Sequence, residues 1–294
     1  MTSEPSSPPA AAATPRRRSR EELDALDSSF LARSLLLTGT LSGTANVIMQ
    51  LANPAVGYGV ARSTVENGRL DKHPIKRART TLSYLAVAVL GNAEDRKRYR
   101  KAVTGQHAQV RSSGDSPVEY NAMNPELQRW VAACLYYGAE ETYQLVYGPL
   151  EGADRERFYQ QGMVLGTTLQ MPAELWPEDR AAFERYWNEQ VAKISISDEI
   201  RAFLLGVAWT EYAPERIRKR IAEDKYRRTI GYLPPVFRAA LRVDWTATDQ
   251  VWFDEYLAEA IRKERRRPLW VSQLGYRLLL WDVRVRYRMG RRLV

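Results

Sequence analysis

Apolar side chains return every three or four residues along most of this chain, which is the period of an α-helix. The stretch from Arg77 to Val110, RARTTLSYLAVAVLGNAEDRKRYRKAVTGQHAQV, shows this most clearly. Its first half has the i, i+3, i+4, i+7 spacing of a helix with one buried face, at Leu82, Leu85, Ala86 and Val89. Gly91 ends this helix, and Asn92 can cap the next one. The stretch therefore predicts two helices joined by a short turn.

His107 places an imidazole on the apolar face of that second helix. It shares the face with Tyr99, Val103 and Val110, while the basic residues of the helix fall elsewhere. In the first helix Arg77 and Thr81 lie one turn apart, so both side chains can contact the same object. His107, Arg77 and Thr81 are the residues we select as candidates for chemistry.

Helical period and cap signals recur from Ser29 to Arg265, and alternation with period two occurs only near 283–288. We therefore predict an all-α fold, a single multi-helix domain. Residues 1–20 are rich in Pro, Ala, Ser and Arg, which predicts a disordered tail. Residues 21–260 are expected to form the helical domain, and residues 261–294 a basic, aromatic C-terminal extension packed on or flanking it.

The counts of cysteine and histidine exclude several classes of site. Cys134 is the only cysteine, so the chain can form neither an internal disulfide nor a cysteine zinc site. Its apolar neighbours indicate a buried, inert thiol. With only two histidines, His73 and His107, a zinc triad of histidines is excluded. Phosphate-loop, GxSxG and HExxH motifs do not occur, and Glu140 and Glu141 are expected on a solvated helix face.

The net charge of +9 is concentrated at the C-terminus. Residues 262–294 hold eleven Lys or Arg and two Asp or Glu, which gives 11 − 2 = +9, so the rest of the chain is close to neutral. Aromatic and leucine residues alternate with these arginines. One interpretation is a closing helix or strand with solvated arginines. Contact with a membrane surface or acidic partner is a second interpretation, and nucleic acid is the least favoured partner.

By elimination, the chemistry-bearing feature that remains is one imidazole beside an Arg/Thr face. A single axial histidine, with helices that enclose a flat apolar cofactor, is the arrangement that haem requires. The guanidinium of Arg77 would suit the haem propionates, because its fork of donors matches a carboxylate. From the residues alone, a histidine packed in the core or at the surface is the alternative, and both interpretations stay open.

The order of motifs resembles the haem b oxygenase family that includes rubber oxygenase (latex-clearing protein) and the mycophenolic-acid-pathway oxygenase. The resemblance covers about residues 30–250. The matching positions are Arg77, Thr81, Gly91, His107, Tyr120, Ala122, Pro125, Glu126, Leu127, Trp130, Val131, Gly166, Pro172, Pro177, Phe183, Tyr186 and Trp187.

The resemblance implies a haem pocket inside the helical domain, with His107 as the proximal iron ligand. It also implies that Arg77 and Thr81 line the haem site as cofactor-binding and catalytic residues, Arg77 in a propionate or distal polar role and Thr81 as a hydrogen-bonding residue. Rubber oxygenase has a lysine where this chain has Thr80, which argues for an open or water-filled distal side. Glu66 is the nearest candidate for a distal base.

The function implied by the resemblance is a haem b-dependent oxygenase or peroxygenase. It would use O₂ or peroxide to oxidise or cleave a small-to-medium apolar substrate. The alternative is a non-catalytic all-α haem or lipid binding protein whose basic tail associates with membranes. Acidic residues follow the Arg16–Arg18 run, and no apolar run approaches 18 residues, so we expect a cytoplasmic location.

Overall fold

A computed structural model describes residues 18–63, 65, 70 and 72–294, and its regular structure in those ranges is helical. Within them no β-strand occurs, and an isolated bridge pairs Arg111 with Asn121. The all-α prediction is therefore confirmed. The α-helices, in chain order, are α1 (Arg20–Asp24), α2 (Leu37–Leu41), α3 (Gly43–Leu51), α4 (Pro54–Ala61), α5 (Pro74–Leu90), α6 (Ala93–His107), α7 (Pro125–Tyr147), α8 (Gly152–Gly162), α9 (Val164–Thr167), α10 (Arg180–Ala192), α11 (Asp198–Ala208), α12 (Glu215–Tyr232), α13 (Pro235–Ala240), α14 (Ala247–Arg265), α15 (Leu269–Ser272) and α16 (Leu274–Arg288).

The helix starts follow the cap signals of the sequence. Asn92 accepts a hydrogen bond from the backbone N–H of Asp95, whose carboxylate accepts one in return from the N–H of Asn92. Asn53 and Asn124 cap helices that have proline at the first position, where a missing N–H costs nothing. The two predicted helices between Arg77 and Val110 correspond to α5 and α6, with the turn at Gly91.

Two apolar clusters fill the interior, and α7 contributes to both. The first cluster joins α7 to α5, α6, α8, α10 and α16. The second joins α7 to α3, α4, α11 and α13. Tyr136 of α7 is fully buried in the first cluster, and Trp130 of α7 is buried in the second. Both faces of this long helix are therefore core faces.

Arg96 fastens the N-terminal segment to the α5–α6 pair. Its guanidinium is buried and donates to the backbone oxygens of Ala88, Asp24 and Leu26 and to Ser28 Oγ, at 2.7 to 3.0 Å. Burial lowers the pKa of Arg96, and the nearby carboxylate of Asp24 opposes that shift. These hydrogen bonds satisfy a charge that would otherwise be costly to bury.

α16 packs against α5 through its buried residues Tyr276, Leu280 and Val283. The alternation near 283–288 thus lies inside a helix, whose opposite face is solvent-exposed.

α14 continues without a break through residue 260, where the sequence placed a boundary. Residues 1–17 of the expected disordered tail lie outside the described residues. Of the helices that the structure describes, none combines the length and the apolar character needed to cross a bilayer.

Replacing Arg96 by Lys is expected to lower the free energy of unfolding by about 2–4 kcal/mol, because an ammonium cannot reach all four acceptors. Urea denaturation followed by circular dichroism measures this change. Arg98→Lys is the matched control on the same helix, since Arg98 forms a partly exposed pair with Glu94. We expect the control to stay within about 0.5 kcal/mol of the parent. Equal effects of the two substitutions would contradict the role given to Arg96.

Candidate functional site

His107 is the last residue of α6, and its Nδ1 lies 3.2 Å from Oε1 of Gln170. The amide of Gln170 has a defined orientation, because its Nε2 donates to Thr104 Oγ1 at 2.8 Å. The Thr104 hydroxyl uses its own proton on the backbone oxygen of Arg100, so towards Gln170 it is an acceptor. Gln170 therefore presents its carbonyl to His107, and Nδ1 carries the imidazole proton.

The tautomer that follows leaves a lone pair on Nε2 of His107. No described residue hydrogen-bonds to that nitrogen. Gln128, which is buried on α7, donates to the same Gln170 oxygen at 3.0 Å and to the backbone oxygen of Ala122 at 2.9 Å. The imidazole ring is thus oriented by a network from α6, α7 and the segment after α9, and its second nitrogen is available to bind a metal.

Burial lowers the pKa of His107, and the positive charge of Arg77 lowers it further, while the hydrogen bond to Gln170 acts in the opposite direction. The imidazole is consequently neutral at pH 7, as a lone-pair donor must be. Arg77 thus lies within electrostatic range of His107, although the two residues belong to different helices.

Arg77 lies on α5 with its Nε buried, and this atom has no hydrogen-bond partner among the described residues. No carboxylate of a described residue forms an ion pair with the guanidinium of Arg77, and burial lowers the pKa of this guanidinium. Three further buried polar atoms on α5, α7 and the segment after α9 also lack a protein partner: Ser83 Oγ, Gln128 Oε1 and Thr168 Oγ1. A buried N–H donor without an acceptor is costly, and an acceptor oxygen of a bound ligand would remove that cost.

Thr81 lies one turn beyond Arg77 on α5 and is half-buried. Its hydroxyl forms no side-chain hydrogen bond among the described residues, so it is free to bond to a ligand. The neighbouring Thr80 hydroxyl is engaged, because it donates to the backbone oxygen of Arg77 at 3.0 Å. Glu66, the candidate distal base, lies outside the described residues.

Glu140 does not lie on a solvated face, so that expectation from the sequence was wrong. It is buried, and both of its oxygens accept hydrogen bonds from Arg180 at 2.8 Å. The hydroxyl of Tyr136 donates to it at 2.7 Å. These partners make Glu140 a structural ion pair. Cys134 is fully buried, and burial raises the pKa of its thiol, which keeps it protonated.

Two cavities of the molecule lie away from His107. One, of about 250 Å³, lies between α2, α3, α7, α13 and α14. The other, of about 640 Å³, is a more open cleft beside α12 that Trp209 and Trp252 border. Neither is lined by His107, Arg77 or Thr81, so the haem pocket stays a prediction. Within the described ranges no three His, Cys, Asp or Glu side chains cluster to hold a bare metal ion. A porphyrin iron needs only one such ligand.

Sequence reasoning missed Gln170, Gln128 and Thr104. Thr104 precedes His107 by three residues on α6, so helical spacing could have identified it as a neighbour. Gln170 is 63 residues from His107 along the chain, and no local pattern connects them.

One comparison with known proteins identifies a family. A family model described as "ER-bound oxygenase mpaB/B'/Rubber oxygenase, catalytic domain" matches residues 33–263. Uncharacterized proteins of Mycobacterium bovis and Mycobacterium tuberculosis are each 46% identical over 250 residues, which cover 85% of this chain and 98% of theirs. No solved structure matches the chain significantly.

We expect the pKa of His107 in the protein as purified without cofactor to lie below about 6.5, its value in an unfolded chain. Because the unfolded chain then binds the proton first as pH falls, His107 makes the fold less stable below about pH 6.5.

Gln170→Glu should raise the pKa of His107 by about one unit or more, since a carboxylate favours the imidazolium. Histidine-labelled NMR titration measures both values, with His107→Asn assigning the signal. The exposed Gln109→Glu is the control, for which a smaller shift is expected; equal shifts would contradict the contact with Gln170.

Proposed function

The chain belongs to the mpaB and rubber oxygenase catalytic-domain family, and from this premise we propose that it is a haem b-dependent oxygenase or peroxygenase. In this proposal His107 is the proximal ligand of the haem iron. The substrate is a small-to-medium apolar organic molecule, and the co-substrate is O₂ or peroxide. The family membership supports the oxygenase activity, and the residues around His107 support the cofactor.

The observation that carries the proposal is the orientation of the His107 imidazole. Gln170 fixes the proton on Nδ1, and the neutral ring keeps its lone pair on Nε2. A metal-bound histidine in proteins donates its other N–H to a carbonyl or carboxylate in the same way, which makes the bound nitrogen a better donor. The side chain is thus pre-organised to bind iron without a change of tautomer.

The unpartnered guanidinium of Arg77 fits the same cofactor. Its buried Nε lacks a partner among the described residues, and a haem propionate would supply the missing anion with matching geometry. Thr81 has a free hydroxyl one turn further along the same helix and would add a neutral hydrogen bond. In this proposal both residues bind and orient the cofactor, and Thr80 has no amine that could occupy the distal side.

Haem b, when bound, supplies the activation of O₂ or peroxide. The residues of the protein contribute the binding and the surroundings of the cofactor. Apolar side chains of the first cluster, among them Val103 one turn before His107, would shield the bound cofactor from water. The neutral imidazole of His107 would hold the cofactor, and the positive charge of Arg77 would compensate the charge of the cofactor's carboxylates.

Three variants test the assignment of His107 by its effect on haem absorption. His107→Asn keeps an N–H near the Nδ1 position but removes the iron ligand, so we expect the Soret band of the reconstituted protein to shift or disappear. In His107→Gly, added imidazole is expected to restore the parent spectrum, because it can occupy the vacated position. His73→Asn, at the start of α5, is the control and should leave the spectrum unchanged.

Arg77→Leu should weaken haem binding by about tenfold or more, since a charged contact is lost.

A parent protein that stays colourless after haem is added would contradict the proposal, as would a Soret band that His107→Asn leaves unchanged. A haem-loaded protein that consumes neither O₂ nor peroxide with any apolar substrate would instead favour the non-catalytic haem-binding alternative.

A further inference from the structure

The C-terminal helices α15 and α16 carry a row of large apolar side chains on their outer side. Trp270 and Trp281 are 64% and 63% exposed, and Leu278 and Leu274 are 56% and 46% exposed. Spacings of four and three residues place Leu274, Leu278 and Trp281 on one side of α16, and Trp270 lies on α15, four residues before Leu274. We call these four residues the C-terminal apolar stripe. Exposed apolar side chains that cluster in this way mark an interaction surface.

The stripe is not a core face of this chain. Tyr276, Leu280 and Val283 lie on the opposite side of α16, where they are buried in the first apolar cluster. Gln273, between the two helices, donates to the backbone oxygen of Ala32 at 2.7 Å, which holds the junction in place. With its inner face already packed, α16 presents the stripe outwards in a fixed orientation.

Arginines without an ion pair precede, interrupt and follow the stripe along the chain. Ion pairs engage Arg284 with Asp95 and Arg286 with Asp282. The exposed arginines of the C-terminal region that form no ion pair with any described residue include Arg266, Arg277, Arg288, Arg291 and Arg292. Arg277 donates to the neutral side chain of Gln273. The surface therefore combines apolar side chains with several positive charges that no carboxylate of the described chain compensates.

We propose that the C-terminal apolar stripe docks the protein on the surface of an anionic lipid bilayer. Tryptophan and leucine would enter the boundary between headgroups and acyl chains, while the arginines would contact lipid phosphates. This combination is the one by which amphipathic helices lie in a membrane interface without crossing it.

Charge and shape disfavour the other partners. A second copy docked on the same stripe would bring two sets of unpaired arginines together, which costs free energy. A nucleic acid would satisfy the arginines and could stack on tryptophan, but it would leave Leu274 and Leu278 without an apolar partner. Only a partner that is both anionic and apolar matches the whole surface.

Co-sedimentation with phosphatidylcholine vesicles, with and without phosphatidylglycerol, tests the proposal on the full-length protein. We expect binding to the anionic vesicles that weakens as salt is added, since screening reduces the arginine contribution. Trp270→Glu combined with Trp281→Glu should weaken binding by about tenfold or more, because the buried apolar area is lost. Val251→Glu is the matched control: Val251 is also an exposed apolar residue, near the start of α14.

A second measurement follows the tryptophan fluorescence of the stripe. Brominated lipids in the vesicles should quench the tryptophan fluorescence of the parent, and Trp281→Phe should remove part of that quenching. Failure of the parent to bind anionic vesicles at low salt would overturn the proposal. So would binding that the double variant leaves unchanged while circular dichroism shows both proteins folded. A parent dimer in light scattering that the double variant dissociates would assign the stripe to self-association instead.

Discussion

A buried guanidinium has to find oxygen acceptors, and the arrangement of the helices around α5 depends on how this requirement is met. Arg96 meets it within the chain, through three backbone oxygens and one hydroxyl, and so ties the N-terminal segment to α5 and α6. Arg77 lies on α5 with its Nε buried and finds no acceptor among the described residues. Arg96 is structural because its hydrogen bonds are complete within the chain. Arg77 fits a ligand site because its Nε still lacks a hydrogen-bond acceptor.

Local rules of the chain account for what the sequence could predict. The cap at Asn92 and the turn at Gly91 depend on residues within one helical turn, and the structure confirms both of them. Glu140 and Gln170 depend instead on partners 40 and 63 residues away. No periodicity encodes such pairs, because they form only when separate helices pack. The histidine could therefore be selected from the sequence, but the network that orients it could not.

The C-terminal region shows the same limit for electrostatics. A count of charges makes its whole length look uniformly basic. The packed structure separates the paired arginines from the unpaired ones. Arg284 forms an ion pair with Asp95, whereas Arg277 and Arg288 are among those that form none. Which arginines remain available is decided by the face of α16 on which each one lies, and hence by packing against α5. The alternation of apolar and basic residues near 283–288, taken alone, gives no sign of this division.

The central position of α7 has a consequence for folding. Its residues alternate between the two apolar clusters, with Tyr136 in the first and Trp130 in the second. On α10, Trp187 stacks on Trp130 and on Tyr137 of α7, with ring centroids 5.4 and 4.5 Å apart. Displacing α7 would thus expose both clusters at once. We therefore expect the two clusters to unfold together, in one cooperative transition.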